Sequence, residues 1–321
     1  MIEKKSLASL NIEKEDIGIR LDKILLKKFN SLSFIKIQKL IRIGFFKVNN
    51  RKVKSNYKIN VADKIQYSNK LINENKFKKD TSSILRKYKK QIADIKKNII
   101  FEDNFLLVIN KPHGIPVQGG NNVNFNIDLI LPALSKNNGS IKLVHRIDKN
   151  TSGILLLAKS KEVAQNITML FKENKIKKKY LTIVEGKLSK RIGKINLPVT
   201  KKTIAGIEKM VVDHDCKEKA ETSYKVIDCK KGLSLLEVYP KTGRKHQIRV
   251  HLQSINHPIL GDSKYNKNNN NNQAVSSEKM HLHAIEIQFI LNKNKYFFKA
   301  SLPNFFKETL KKINIENTTY E

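Results

Sequence analysis

The chain has 321 residues and carries 63 Lys and Arg against 29 Asp and Glu, a formal charge of +34. It is longer than one typical domain, and so much like charge calls for a polyanion, with nucleic acid the default partner. Only two cysteines, Cys216 and Cys229, are present, neither in a C-x-x-C pair, which excludes a disulfide framework and a zinc knuckle. No apolar run approaches the roughly 20 residues of a membrane span, and the N-terminus lacks an apolar signal segment, so a monomeric, cytoplasmic protein is expected. The pairs His246 and His251, and His281 and His283, do not have metal-site spacing, and no metal is expected.

After an N-terminal extension, 1–16, residues Ile17 to Tyr67 read as a compact unit within a module placed at 17–70. Leu21, Ile24, Leu25 and Phe29 recur at helical spacing, as do Ile37, Leu40 and Ile41, with Gly44 as a stop. Val48 to Val53 reads as a tight hairpin, and Asp63 turns the chain into a further strand. Arg20, Lys23, Lys36, Lys39, Arg42, Arg51 and Lys52 are interleaved and could track phosphates. Residues 71–98, rich in Lys, Asn and Ser, read as a basic linker without an apolar face.

From Ile99 the sequence IIFEDNFLLVINKPHGIPVQGG gives a strand, a turn at Glu102 to Asn104, a second strand and a loop punctuated by Pro and Gly. Next, HRIDKNTSG (His145 to Gly153) sets one carboxylate, Asp148, in a polar loop between strand-forming Ile141 to Val144 and the apolar run Ile154 to Ala158. That run has the character of a strand buried on both faces. Taken alone, Asp148, Asn150, Thr151 and Ser152 serve equally well as turn builders, with Gly153 free to adopt a positive φ. Tyr180 opens a strand to Val184. Leu233 to Tyr239 forms another, then Pro240 to Gly243 turns into a helix with the apolar stripe Ile248, Leu252 and Ile255, leaving Arg249 off that stripe. Lys267 to Ser277, with five consecutive Asn, reads as a surface loop.

The order of elements in the first unit resembles the S4 RNA-binding module. Farther on, INKPHGIPVQGG, VHRIDKNTSGILLLAK, KKYLTIVEG, TGRKHQIRVHL and LHA stand in the order and spacing of RluA-type bacterial pseudouridine synthases, and the S4-like module with Val117 to Gly120 is most similar to the branch that modifies 23S ribosomal RNA. The resemblance implies an α+β fold: the S4-like module, then a catalytic domain (99–321) built on a mixed, largely antiparallel sheet with a central cleft. It implies isomerisation of a flipped-out uridine, with no cofactor because the reaction has no net redox or group transfer. By resemblance Asp148 is the nucleophile, on uracil C6 or ribose C1′, and Tyr180 stacks on the base and relays a proton. Burial disfavours an ionised carboxylate and a guanidinium favours it, a role the resemblance gives to Arg249; the alternative is a solvated helix face meeting RNA. Arg146 enters the stack in place of the flipped base, Arg244 meets phosphate or closes its turn, and Lys111 and Pro112 shape the pocket floor. An ordinary glycosidase would need a second carboxylate. Two rivals remain: the same reaction on other ribosomal or transfer RNA uridines, and a non-catalytic ribosome-assembly factor. The sequence departs from the family at Gln118, where such loops often carry His, and in the Asn tract.

Overall fold

The computed structural model describes residues 7–29, 32, 34–68, 86–119, 123–135, 141–204, 206–266 and 277–315. The Asn tract, Gly120 and most of the expected linker lie outside the described residues. The chain divides into two compact units, Met1–Ile84 and Leu85–Glu321.

In the first unit, helices α1 (Leu21–Lys28) and α2 (Phe34–Arg42) follow the apolar spacing read above. Their Leu21, Ile24, Leu25, Ile37, Leu40 and Ile41 close around Phe46, Ile59 and Ile65. An antiparallel sheet of order β1-β3-β2 completes the unit, from β1 (Leu7–Leu10), β2 (Lys47–Val48) and β3 (Ile65–Ser68). Two expectations are corrected here. The extension is not separate from the module, because Leu7–Leu10 pairs with Ile65–Ser68; four residues are too few to show an alternation in sequence. The Val48 to Val53 hairpin is shorter than expected: Asn49 and Asn50 take φ of 50° and 63°, as its tight two-residue turn requires, and the hairpin closes on Val48 and Arg51 alone. Beyond the single bridge from Val48 to Arg51, β2 pairs with β3 instead.

The second unit opens with helix α3 (Lys89–Lys97), inside the segment expected to be a linker. Ile92 and Ile95 bury its one apolar edge, a pair too sparse to stand out among lysines. The sheet that follows has ten strands, in the order β4-β5-β7-β14-β8-β13-β12-β9, with β6 added to β7 and β15 to β14. They are β4 (Ile99–Glu102), β5 (Leu106–Lys111), β6 (Lys142–Leu143), β7 (Ser152–Ala158), β8 (Lys177–Glu185), β9 (Ile192–Asn196), β12 (Glu221–Lys230), β13 (Leu233–Pro240), β14 (Leu282–Leu291) and β15 (Asn294–Lys299). A separate hairpin joins β10 (Val199–Ile204) to β11 (Ile207–Val212). Helices α4 (Ile127–Leu134), α5 (Lys161–Lys172), α6 (Gln247–Ser254) and α7 (Asn304–Lys312) complete the unit.

Every pairing in the large sheet is antiparallel except β7 with β14, which meet at His283 opposite Ser152 and Ala284 opposite Gly153. Beyond this short contact the two strands part: β7 takes β6 on that edge, and β14 takes β15. The sheet is therefore two halves joined at a narrow seam. The seam requires glycine, since Gly153 has φ +104° and an added Cβ would stand 2.3 Å from the Ala284 carbonyl oxygen. All seven residues of β7 are buried, as a two-faced strand demands. On β8, Leu181 and Ile183 turn toward α7, with Phe306 and Leu310. Tyr180 and Val184 turn the other way, toward Ile248 and Leu252 of α6. This alternation decides which β8 side chains face the site.

Candidate active site

A cleft of about 640 Å³ opens between the two halves, walled by the β6–β7 loop, α5, β8 and the β13–α6 connection. Asp148 borders it and also a second hollow of about 200 Å³, formed with Pro116 to Gln118 and Lys149. Among the described residues, Asp148 is the only acidic one lining either.

The Asp148 loop is pinned from beneath. Lys111, fully buried at the end of β5, donates from Nζ to the carbonyls of Pro112, Ile115 and Lys149 at 2.8, 2.9 and 3.2 Å. These three bonds use all three ammonium donors. Burial pushes the Lys111 ammonium down to about 7, against the pull of Asp148. Gly114 N–H donates to the Lys149 carbonyl at 2.9 Å, and Thr151 N–H to that of Asp148 at 3.1 Å. Ser152 Oγ bonds His283 Nδ1 at 2.8 Å across the seam.

The Asp148 side chain is 18% exposed, and its Oδ2 accepts from Arg249 Nη1 at 3.2 Å. The other edge of that guanidinium is held more firmly: Nε and Nη2 each donate to Asp262, both at 2.7 Å. Asp262 is 1% exposed and also accepts from the N–H groups of Lys264 and Tyr265. Arg249 lies over the Tyr265 ring, 4.9 Å from its centroid. Although off the apolar stripe, Arg249 is buried, so its helix face meets this network and not solvent.

His246 enters from the αL residue before α6, φ +56°, with Nε2 3.7 Å from Asp148 Oδ2. Its Nδ1 lies 2.7 Å from Tyr265 Oη, which accepts the Met210 N–H at 3.3 Å. Burial pushes the imidazole down to about 4 despite Asp148, so it is neutral near pH 7.

Tyr180 stands in the cleft wall in mid-strand, since β8 begins at Lys177 rather than at Tyr180 as expected from sequence. Burial, then the charge of Asp148, raises its phenol well above the ordinary range. Arg146 is exposed on the same cleft. Arg244 closes its turn through the backbone, N–H to Gln247 Oε1 at 3.0 Å, while its guanidinium meets exposed Glu218 at 2.8 Å. Pro112 is half-buried at the mouth of the loop that Lys111 ties. In the first unit, Lys23, Lys39, Arg42 and Arg51 are exposed, whereas Arg20 forks onto buried Asp22 at 2.6 and 3.1 Å. The chain thus brings Asp148, Tyr180, Arg249, Arg146 and Arg244 to one cleft. Asp262 and Tyr265 were not singled out from sequence, and His246 was weighed there only as a metal ligand. His246 lies inside the TGRKHQIRVHL motif and was within reach; Asp262 becomes visible only when the chain folds back on α6. Among the described residues, no group of three or more His, Cys, Asp or Glu is placed to hold a metal, and no helix is long and apolar enough to cross a membrane.

The sequence pattern of the RNA pseudouridylate synthase family matches residues 105–254, and that of the S4 domain matches 19–65. A ribosomal large subunit pseudouridine synthase C from Buchnera aphidicola (subsp. Schizaphis graminum) is 32% identical over 311 residues, covering 95% of this chain and 97% of that protein. Its namesake from Haemophilus influenzae is 32% identical over 316 residues, 97% of each chain. Among solved structures, human RNA pseudouridylate synthase domain containing 4 is similar with a TM-score of 0.60 and 29% identity, over 71% of this chain and 97% of that one. With that cleft, that sheet and these relatives, the chain belongs to the RNA pseudouridylate synthase family, with an S4 domain in front.

Proposed function

We propose that this protein converts uridine to pseudouridine in 23S ribosomal RNA, using Asp148 as the nucleophile on a flipped-out base. The observation that carries the assignment is Asp148 itself: a lone carboxylate in a cleft, tied to a guanidinium that a second, buried carboxylate holds in place. A surface that only bound phosphate would have no use for it, and a glycosidase would place a second carboxylate in the cleft. Names of the near relatives point to the large ribosomal subunit, and the S4 domain supplies exposed cations for structured RNA.

In the proposed sequence, Arg146 fills the gap left by the extruded base, offsetting part of the few kcal/mol of unstacking. Asp148 attacks uracil C6 or ribose C1′; either route uses the same carboxylate, with Arg249 and the His246 ring as its neighbours. The glycosidic C–N bond breaks, the base turns, and C5 bonds to C1′; the Asp148 bond breaks in turn, displaced from C1′ by C5 or eliminated from C6, and the carboxylate is freed. The C5 proton then leaves and N1 gains one, so no redox partner or transferred group enters. Tyr180 packs against the base and, its phenol held protonated, relays a proton by giving one as it takes another. Lys111 and Pro112 hold the loop. The protein acts as a monomer in the cytoplasm without a metal.

The test is to map pseudouridine in total RNA from cells with and without this protein. Loss of one or a few 23S sites, restored by the wild-type chain, is expected. Unchanged 23S RNA with sites lost from transfer RNA would redirect the substrate, and no change in any RNA would contradict the activity.

A further inference from the structure

Two adjacent lysines on β8 are treated differently by the fold. Lys179 faces away from the cleft and lies between two carboxylates, 3.3 Å from Glu237 and 2.8 Å from Glu286. Lys178 faces into the cleft, two residues before Tyr180 and therefore on the same side of the strand. It is half-buried, and no carboxylate stands within ion-pair distance among the described residues. The one hydrogen bond from its Nζ is a long one, 3.3 Å to the Thr242 carbonyl. A partly desolvated ammonium with one weak acceptor and no counter-charge is unfavourable by itself. The strand carries it next to the ring that faces the substrate.

We propose that Lys178 forms a phosphate subsite inside the cleft, taking an oxygen of a phosphodiester that flanks the flipped uridine. This rests on the reading that the cleft accepts a uridine of RNA. A phosphate supplies the charge and the acceptors that the protein withholds. Nearby cations do not take over this role. Arg244 is drawn to Glu218, and Arg146 is exposed.

The subsite has a pH signature. Burial pushes the Lys178 ammonium down to about 8 in the free protein. Around it lie His145 and Arg146 of the β6–β7 loop, Lys172 of α5, Tyr180 of β8, and Arg244 and His246 before α6, with Asp148 across the cleft. His145 and His246 are already neutral, pushed to about 3 and about 4 by burial, so neither changes charge near pH 8. A phosphate favours the charged amine and raises its pKa in the complex. The gain in affinity is therefore complete below the free value and is lost as pH rises through the value in the complex.

Binding of the full chain to uridine, uridine 3′-monophosphate and uridine 5′-monophosphate is measured at pH 7 and pH 9, for wild type, Lys178→Gln and Lys178→Arg. One of the two nucleotides is expected to bind about tenfold more tightly than uridine at pH 7, the scale of a charge-assisted bond. Lys178→Gln removes that advantage and leaves uridine affinity within about twofold, a single neutral contact at most. At pH 9 the wild type loses most of the advantage, whereas Lys178→Arg keeps it because arginine stays charged. Equal weakening of uridine and nucleotides by Lys178→Gln would overturn the subsite, as would nucleotides that bind no better than uridine. A wild-type protein that forms pseudouridine in 23S RNA yet shows no phosphate advantage loses only this subsite. One that neither forms pseudouridine nor binds any of the three ligands loses the functional reading and the subsite together.

Discussion

Arg249 stands between two carboxylates, and its bond to the one outside the cleft is the firmer. The fork onto Asp262, at 2.7 Å from each nitrogen, fixes the plane of the guanidinium and leaves Nη1 for Asp148 at 3.2 Å. Removing one partner of such a buried pair leaves a charge uncompensated, which costs about 3–5 kcal/mol. Asp262→Ala is therefore expected to lower unfolding stability by that order in urea titrations, beyond any effect on the reaction. Arg249→Lys keeps the charge but cannot fork; it is expected to recover only part of the single-turnover rate that Arg249→Ala loses, measured with enzyme in saturating excess over RNA. At this scale the sequence made Asp148, Tyr180 and Arg249 legible, because each lies in an ordered motif. Asp262 lay 13 residues beyond Arg249 with nothing local to mark it, since its meaning is a contact made by a loop returning over α6. Lys178 and Lys179 were one basic run in sequence. Only the pleat separates a lysine clamped by two glutamates from one turned into the cleft.

Among elements, the β7–β14 seam does most to place the site, since it joins the two halves where the Asp148 loop runs into β7. Backbone meets backbone there, so a side chain at 153 has no flexible neighbour to displace, and the positive φ adds strain of its own. Gly153→Ala is expected to cost more than about 3 kcal/mol, at the upper end of single backbone strains, seen as a large fall in melting temperature or as loss of the folded chain. Lys111 and its three carbonyls hold the other side of the loop. Strands β5, β7 and β13 and helices α1, α2 and α6 were legible in sequence because burial gives them continuous or periodic apolar patterns. The short strand β1 and the lysine-rich α3 were not, because each presents only two large apolar residues and owes its structure to what it pairs with or packs upon. The partners of β14 were also hidden: a parallel neighbour on half an edge and a hairpin partner on the rest leave no local signature.

For the whole molecule, the charge of +34 read directly from the sequence agrees with an RNA substrate, but the fold distributes it unevenly. Several cations are spent on local carboxylates, Arg20 on Asp22 and Lys179 on Glu237 and Glu286 among them. Lys23, Lys39, Arg42 and Arg51 are left exposed in the first unit. Deleting Met1–Ile84 is expected to weaken binding to a 23S transcript and to make log affinity fall less steeply with log salt, by roughly one unit of slope for each phosphate that this unit neutralises. Slow isomerisation should persist, because that unit holds none of the cleft residues. A folded second unit with full RNA affinity would contradict this division of labour. The central claim is that this RNA-binding chain does its chemistry through one carboxylate, and Asp148→Asn tests it most directly, since the amide keeps the shape and removes the nucleophile. Pseudouridine formation on a full-length 23S transcript is followed under single-turnover conditions with enzyme in saturating excess, alongside RNA affinity. The account predicts no measurable isomerisation with affinity near that of wild type; a rate within about tenfold of wild type, a loss too small for a missing nucleophile, would contradict it.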